Sequence, residues 1–153
     1  MASKTMIVVA GGSGTRMGTQ VPKQFLVLNG KPILMHTLEN LHRLDEAMQL
    51  ILVLPESQIE YWAKLKMQHH FYLKHELAIG GTTRFLSVKS GLALANGELI
   101  GVHDGVRPFL SKSTFDHCFQ VALQSGAAVP ATKIVQSLRK VDDDGNSAVD
   151  REG

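Results

Sequence analysis

Four short apolar runs dominate the pattern, and each stops at a chain breaker. Met6-Ile7-Val8-Val9-Ala10 runs into Gly11, Leu50-Ile51-Leu52-Val53-Leu54 into Pro55, Leu77-Ala78-Ile79 into Gly80-Gly81, and Leu99-Ile100-Gly101-Val102-His103 into Asp104-Gly105. Their length and β-branched content fit strands buried on both faces. Between them lie segments of helical spacing: Ile33 to Leu44 behind Pro32, Ser57 to Met67, Phe85 to Leu94, and Ser113 to Ser125 before Gly126. Ser57 with Glu60 has the form of a capping box. Ala127-Ala128-Val129-Pro130 is expected to add a fifth short strand. Strands alternating with helices imply an α/β fold, a mainly parallel sheet with helices on both faces. Such sheets bind ligands beyond the carboxyl ends of their strands. The glycine segment after Ala10, Gly80-Gly81 and Asp104-Gly105 should therefore meet at one site.

The last twenty residues differ. Ile134 to Val141 and Ser147 to Arg151 flank Asp142-Asp143-Asp144-Gly145-Asn146, a strong turn signal, and read as a polar β-arm. The expected division is residues 1–133 as the α/β domain and 134–153 as the arm. The 153 residues suit one domain. Sixteen Lys and Arg against fourteen Asp and Glu give a net charge of +2, with no dense basic stripe, so nucleic acid is not an expected partner. The apolar runs are strand-sized, which argues against a membrane span. The start of the chain lacks signal-peptide architecture, so a cytoplasmic location is expected. The single cysteine, Cys118, excludes an internal disulfide and reads as a plain buried thiol.

Ala10-Gly11-Gly12-Ser13-Gly14-Thr15-Arg16-Met17-Gly18 carries the strongest chemical signal. Glycines let backbone amides approach phosphate oxygens. Arg16, and Lys23 behind Pro22, add two cations suited to a triphosphate. The Gly-Lys-Ser/Thr of the P-loop is absent, and Gly18 arrives one place late for the dinucleotide fingerprint. Gly80-Gly81 before Thr82-Thr83-Arg84 offers backbone groups to a base, or a helix capped by Thr82 or Thr83. Asp104 offers a hard oxygen to Mg²⁺ at a phosphate site, or simply forms an Asp-Gly turn. His103 reads as packed or hydrogen-bonded. The remaining histidines show no metal-ligand pattern; His69-His70 reads as solvated surface and Asp142-Asp143-Asp144 as a solvated tip.

Ala-Gly-Gly-x-Gly-Thr-Arg-Met followed by Pro22-Lys23-Gln24-Phe25 resembles the signature of nucleotidyltransferases acting on sugar and polyol phosphates. Gly80-Gly81-Thr82-Thr83-Arg84-Phe85-Leu86-Ser87-Val88, His103-Asp104-Gly105-Val106-Arg107-Pro108-Phe109 and Val149-Asp150-Arg151 follow in family order. Together they resemble the 2-C-methyl-D-erythritol 4-phosphate cytidylyltransferases of non-mevalonate isoprenoid synthesis, across essentially the whole chain.

The resemblance implies a Rossmann-like fold of the nucleotide-diphospho-sugar transferase type. It also implies cytidylyl transfer from CTP to the polyol phosphate, with release of pyrophosphate and formation of CDP-methylerythritol. Arg16 and Lys23 would be catalytic. Ala10, Gly11, Gly12, Ser13, Gly14, Thr15, Gly81, Thr82, Ser87, Asp104 and Gly105 would bind nucleotide. Asp104, Arg107, Ser137 and Arg151 would bind the acceptor, Asp104 would hold Mg²⁺ or another divalent cation, and the arm would build a homodimer. The sequence departs from the family pattern at Val9 (usually proline), Thr82 (often acidic) and Gly105 (usually alanine). Family members continue past Val-Asp-Arg, so a chain ending at Gly153 is expected to be truncated. Transfer to another polyol or sugar phosphate such as ribitol 5-phosphate, and a non-catalytic nucleotide-binding fragment, are the competing readings.

Overall fold

The computed structural model describes residues 2–11 and 21–133, together with the backbone of two strands, Arg139–Asp142 and Gly145–Ala148. In chain order the elements are β1 (Lys4–Val9), a 3₁₀ turn (Lys23–Phe25), β2 (Val27–Leu28), β3 (Lys31–Pro32), α1 (Ile33–Leu44), β4 (Gln49–Leu54), α2 (Glu56–Gln68), β5 (Glu76–Ile79), α3 (Arg84–Leu92), β6 (Leu99–Asp104), α4 (Lys112–Ser125), β7 (Arg139–Asp142) and β8 (Gly145–Ala148). The four apolar runs are the four strands of one sheet, in the order β5-β4-β1-β6. Every pairing in it is parallel. From β1 the chain steps outward through β4 to β5, then returns to lay β6 on the other side of β1. The exits of β1 and its neighbours thus form the topological switch point, where open α/β sheets bind ligands.

Alternation along β1 splits the core in two. Met6 and Val8 join Leu50, Leu52 and Leu54 beneath α1, α2 and α4, which contribute Leu34, Leu38, Leu41, Trp62, Leu65, Phe115 and Phe119. Ile7 and Val9 join Ile51, Val53 and Ala78 on the opposite face, where Val88 of α3 packs. Both faces are therefore covered by helices, as the alternating pattern implies. α1 starts immediately after Pro32, as expected, and buries the 3.6-spaced Leu34, Leu38 and Leu41.

Several local expectations are corrected. Residues 127–130 form no strand: Pro130 lacks an N–H for a ladder, and Val129 is left 86% exposed. α2 begins at Glu56 with Pro55 as its N-cap and no side-chain cap, so Ser57 is a first-turn residue rather than a capping-box residue. The fixed φ of proline already sets the turn out of β4. Cys118 is half-buried, because α4 turns Phe115 and Phe119 to the sheet instead. A small antiparallel hairpin, β2–β3, was not foreseen. Its turn residues Asn29 and Gly30 have φ of 48° and 85°, the positive pair of a type I′ turn. Towards the end of the described residues β7 pairs antiparallel with β8, with Asp142 opposite Gly145 and Val141 opposite Asn146, so Asp142, Gly145 and Asn146, expected in the turn, belong to the paired strands.

Candidate active site

Four strand exits build one cleft of about 430 Å³ at the carboxyl edge of the sheet. Ala10 and Gly11 leave β1, Pro55 leaves β4, Gly80 to Arg84 leave β5, and Asp104 ends β6; all line it, with Lys23, Gln24 and Ser87. The ladders run on past the formal strand ends and hold these exits in place. Ala10 N–H donates to the Val53 carbonyl (3.0 Å), Gly80 N–H to that of Leu54 (2.8 Å) and Gly105 N–H to that of Val9 (2.9 Å).

Each wall of the cleft has its own support. Gln24 is buried, and its amide Nε2 donates to the Ala10 carbonyl (2.8 Å) and to Gln58 Oε1 (2.7 Å). The residue beside Lys23 thereby ties that lysine to the start of the glycine loop. Opposite, Thr83 is the N-cap of α3, its hydroxyl accepting from Leu86 N–H (3.1 Å). Ser87, one turn in, donates to the Thr83 carbonyl (3.0 Å). A Cβ on Gly81 would lie 2.4 Å from that of Leu86, so only glycine lets the turn close over the start of α3.

Asp104 is the electrostatic centre. Its Oδ1 accepts from the Arg84 guanidinium at 2.8 Å, and its Oδ2 from Arg107 Nε at 2.8 Å. Partial burial raises the Asp104 carboxyl, but the hydrogen bonds from Arg107 and Arg84 outweigh it and hold the group below the ordinary carboxylate range. It is ionised at neutral pH. For the neighbouring His103, burial pushes the imidazole down, against the opposing pull of the Asp104 charge, and keeps the ring neutral.

A family model described as 2-C-methyl-D-erythritol 4-phosphate cytidylyltransferase matches residues 5–153. The chain belongs to this family. The cytidylyltransferase of that name from Bacteroides fragilis is 50% identical over 149 residues, 97% of this chain and 68% of the relative. That of Bacteroides thetaiotaomicron is 48% identical over the same shares. Among solved structures, the bifunctional IspDF of Campylobacter jejuni superposes with a TM-score of 0.80 at 29% identity, over 99% of this chain and 38% of its own. The family's enzymes are nucleotidyltransferases, and their reaction is cytidylyl transfer to the polyol phosphate for which they are named.

Of the residues that the family motifs single out, Ala10, Gly11, Lys23, Gly81, Thr82, Ser87 and Asp104 come together in the cleft. Gly105 does not line it. That residue is buried behind Ala10, its N–H taken by Val9 and its carbonyl by the Thr37 hydroxyl (2.8 Å). Arg107 faces a neighbouring cavity across Asp104. Gly12, Ser13, Gly14, Thr15, Arg16, Ser137 and Arg151 lie outside the described residues. Sequence reasoning gave no role to Arg84 or Gln24. Arg84 stands in a quoted motif, but its ion pair joins positions twenty residues apart, which spacing does not reveal. Gln24 could have been flagged only as a polar residue beside the apolar Phe25. Among the described residues no group of three His, Cys, Asp or Glu is arranged to hold a metal ion.

Proposed function

We propose that this cleft binds CTP and that the chain transfers its cytidylyl group to 2-C-methyl-D-erythritol 4-phosphate. The observation that carries the reading is the meeting of Ala10, Gly11, Lys23, the Gly81–Ser87 turn and Asp104 in one cleft. In this reading Ala10, Gly11, Gly81, Thr82 and Ser87 face the cytidine, and the amides of Gly12 to Thr15 hold the triphosphate. Gly105 contributes from behind by seating Ala10. An acceptor phosphate oxygen attacks the α-phosphorus, the bond to pyrophosphate breaks, and no strong base is required. Arg16 and Lys23 balance the charge that builds at the α-phosphorus and on the leaving group; catalysis of this kind is mostly positioning and electrostatics. Asp104, Arg107, Ser137 and Arg151 hold the acceptor.

Asp104 suits a divalent cation that arrives with its own phosphate ligands, because Mg²⁺ is usually held by one or two carboxylates plus substrate phosphates. Such an ion, when held by Asp104 and the substrate's phosphates, would offset negative charge on the phosphates. We assign residues 1–133 to the catalytic α/β domain and 134–153 to an arm that pairs two copies into a homodimer. Among the described residues no helix is long and apolar enough to cross a membrane. The cytoplasm, where CTP is made, is the proposed setting.

The test is pyrophosphate release with CTP, Mg²⁺ and a panel of polyol phosphates. Release with methylerythritol phosphate well above that with ribitol 5-phosphate is expected. Equal or greater release with ribitol 5-phosphate overturns the assignment of the acceptor. CTP binding with no release for any polyol makes this chain a nucleotide-binding fragment. Lys23→Ala is expected to lower turnover by about 10²–10³-fold while leaving the fold intact; near-normal turnover removes Lys23 from the mechanism.

A further inference from the structure

Arg84 and Asp104 come from opposite edges of the sheet. Arg84 follows β5 at one edge and Asp104 ends β6 at the other, so their contact crosses over the exits of β4 and β1. A second cavity of about 570 Å³ lies beyond it, lined by His103, Arg107 and Phe109. Arg84, Asp104 and Val106 line both cavities and form the boundary between them. At that boundary both carboxylate oxygens carry a guanidinium. Two cations on one anion leave surplus positive charge facing each cavity, which repels a bare divalent cation and attracts a phosphate. The Arg84 side chain is 61% exposed, so releasing Asp104 requires no repacking of the core.

We propose that Arg84 exchanges partners: it covers Asp104 Oδ1 while the cleft is empty, transfers to a phosphate oxygen when a nucleoside triphosphate arrives, and thereby uncovers the carboxylate for a divalent cation. This rests on the reading of the cleft as a nucleotide site. Arginine is suited to the exchange, since its planar fork matches carboxylate and phosphate alike. The consequence is coupling: Asp104 accepts a cation readily only once phosphate is present.

The test uses the purified chain and two separate titrations, of Mn²⁺ without nucleotide by electron paramagnetic resonance and of CTP in EDTA by calorimetry. In Arg84→Met, Mn²⁺ affinity is expected to rise about three- to fivefold, the scale of losing one partly exposed ion-pair competitor. CTP affinity is expected to fall about tenfold or more, the scale of one charge-assisted hydrogen bond. Arg84→Lys should recover part of the CTP affinity, and Asp104→Asn combined with Arg84→Met should abolish the Mn²⁺ gain. Mn²⁺ affinity that is unchanged or lower in Arg84→Met overturns the proposal. So does unchanged CTP affinity, or a Mn²⁺ gain that survives without Asp104. A wild-type chain that binds no CTP refutes the function proposed for the cleft; the Mn²⁺ titration, which needs no nucleotide, still decides whether Arg84 covers Asp104.

Discussion

Gln24 shows how one buried amide can fix a site. Its Nε2 faces two acceptors, the Ala10 carbonyl and Gln58 Oε1. Gln24→Glu keeps the shape but puts an oxygen against both. It should destabilise the chain by about 1–3 kcal/mol or more, the cost of unsatisfied buried groups, as read by urea unfolding. His75 argues similarly for charge. It accepts from Trp62 Nε1 at Nε2 (3.2 Å), so its proton resides on Nδ1 and is donated to the Leu73 carbonyl (2.8 Å). Burial, chiefly, lowers its pKa below the ordinary 6.5. The unfolded chain therefore takes up the proton first, and the stability tied to neutral His75 is complete above 6.5. It is lost as pH falls through the lowered folded value. Urea unfolding from about pH 7.5 to about pH 5.5 should show declining stability, with a shallower decline in His75→Gln. Neither role was legible in the sequence. Motif order named the neighbourhood of Gln24, whereas burial of a polar side chain depends on partners distant in the chain. The general reading of the histidines as free of metal patterns says nothing of a ring locked between Trp62 and Leu73.

The elements were the most legible level, because each apolar run met a breaker. Strand exits at Gly11, Pro55, Gly80 and Asp104 fall within a residue or so of expectation, and from them the position of the cleft followed. The failures have local causes. The signal for β2–β3 stood in plain view as Asn29-Gly30, but its flanking strands are only two residues each, too short for an alternating pattern. The apolar Ala127-Ala128-Val129 suggested a strand by composition alone, and among the described residues it pairs with no strand. Caps are decided at single positions, and here Thr83 supplies one for α3. Thr83→Ala should cost about 1 kcal/mol and Thr83→Ser almost nothing, measured as the shift in thermal midpoint. Because the same turn forms a wall of the cleft, CTP affinity should fall with Thr83→Ala and recover with Thr83→Ser.

At the scale of the molecule, the sheet is covered unevenly. Ile100 and Val102 of β6 lie opposite Thr5 and Ile7, on the α3 side, yet remain 42% and 46% exposed. Among the described residues β6 pairs only with β1, so it presents an apolar edge. Exposed edges of this kind favour association. Val102→Lys should reduce any concentration-dependent self-association of the chain, read by light scattering, with little change in stability. The family and fold class were legible because they depend on the order of motifs, which survives without contacts. The way Asp104 is divided between Arg84 and Arg107 was not, since it exists only once the two edges of the sheet are brought together. The central position of β1 has a kinetic consequence. It is made before both of its partners, β4 and, much later, β6. Until Leu99 to Asp104 have been made, one side of β1 has no mate, and the cleft lacks the wall that Asp104 supplies. Such long-range parallel pairing folds slowly and leaves a nascent chain dependent on protection from aggregation. The first ten residues thus carry the middle of the enzyme and are among the last to be enclosed.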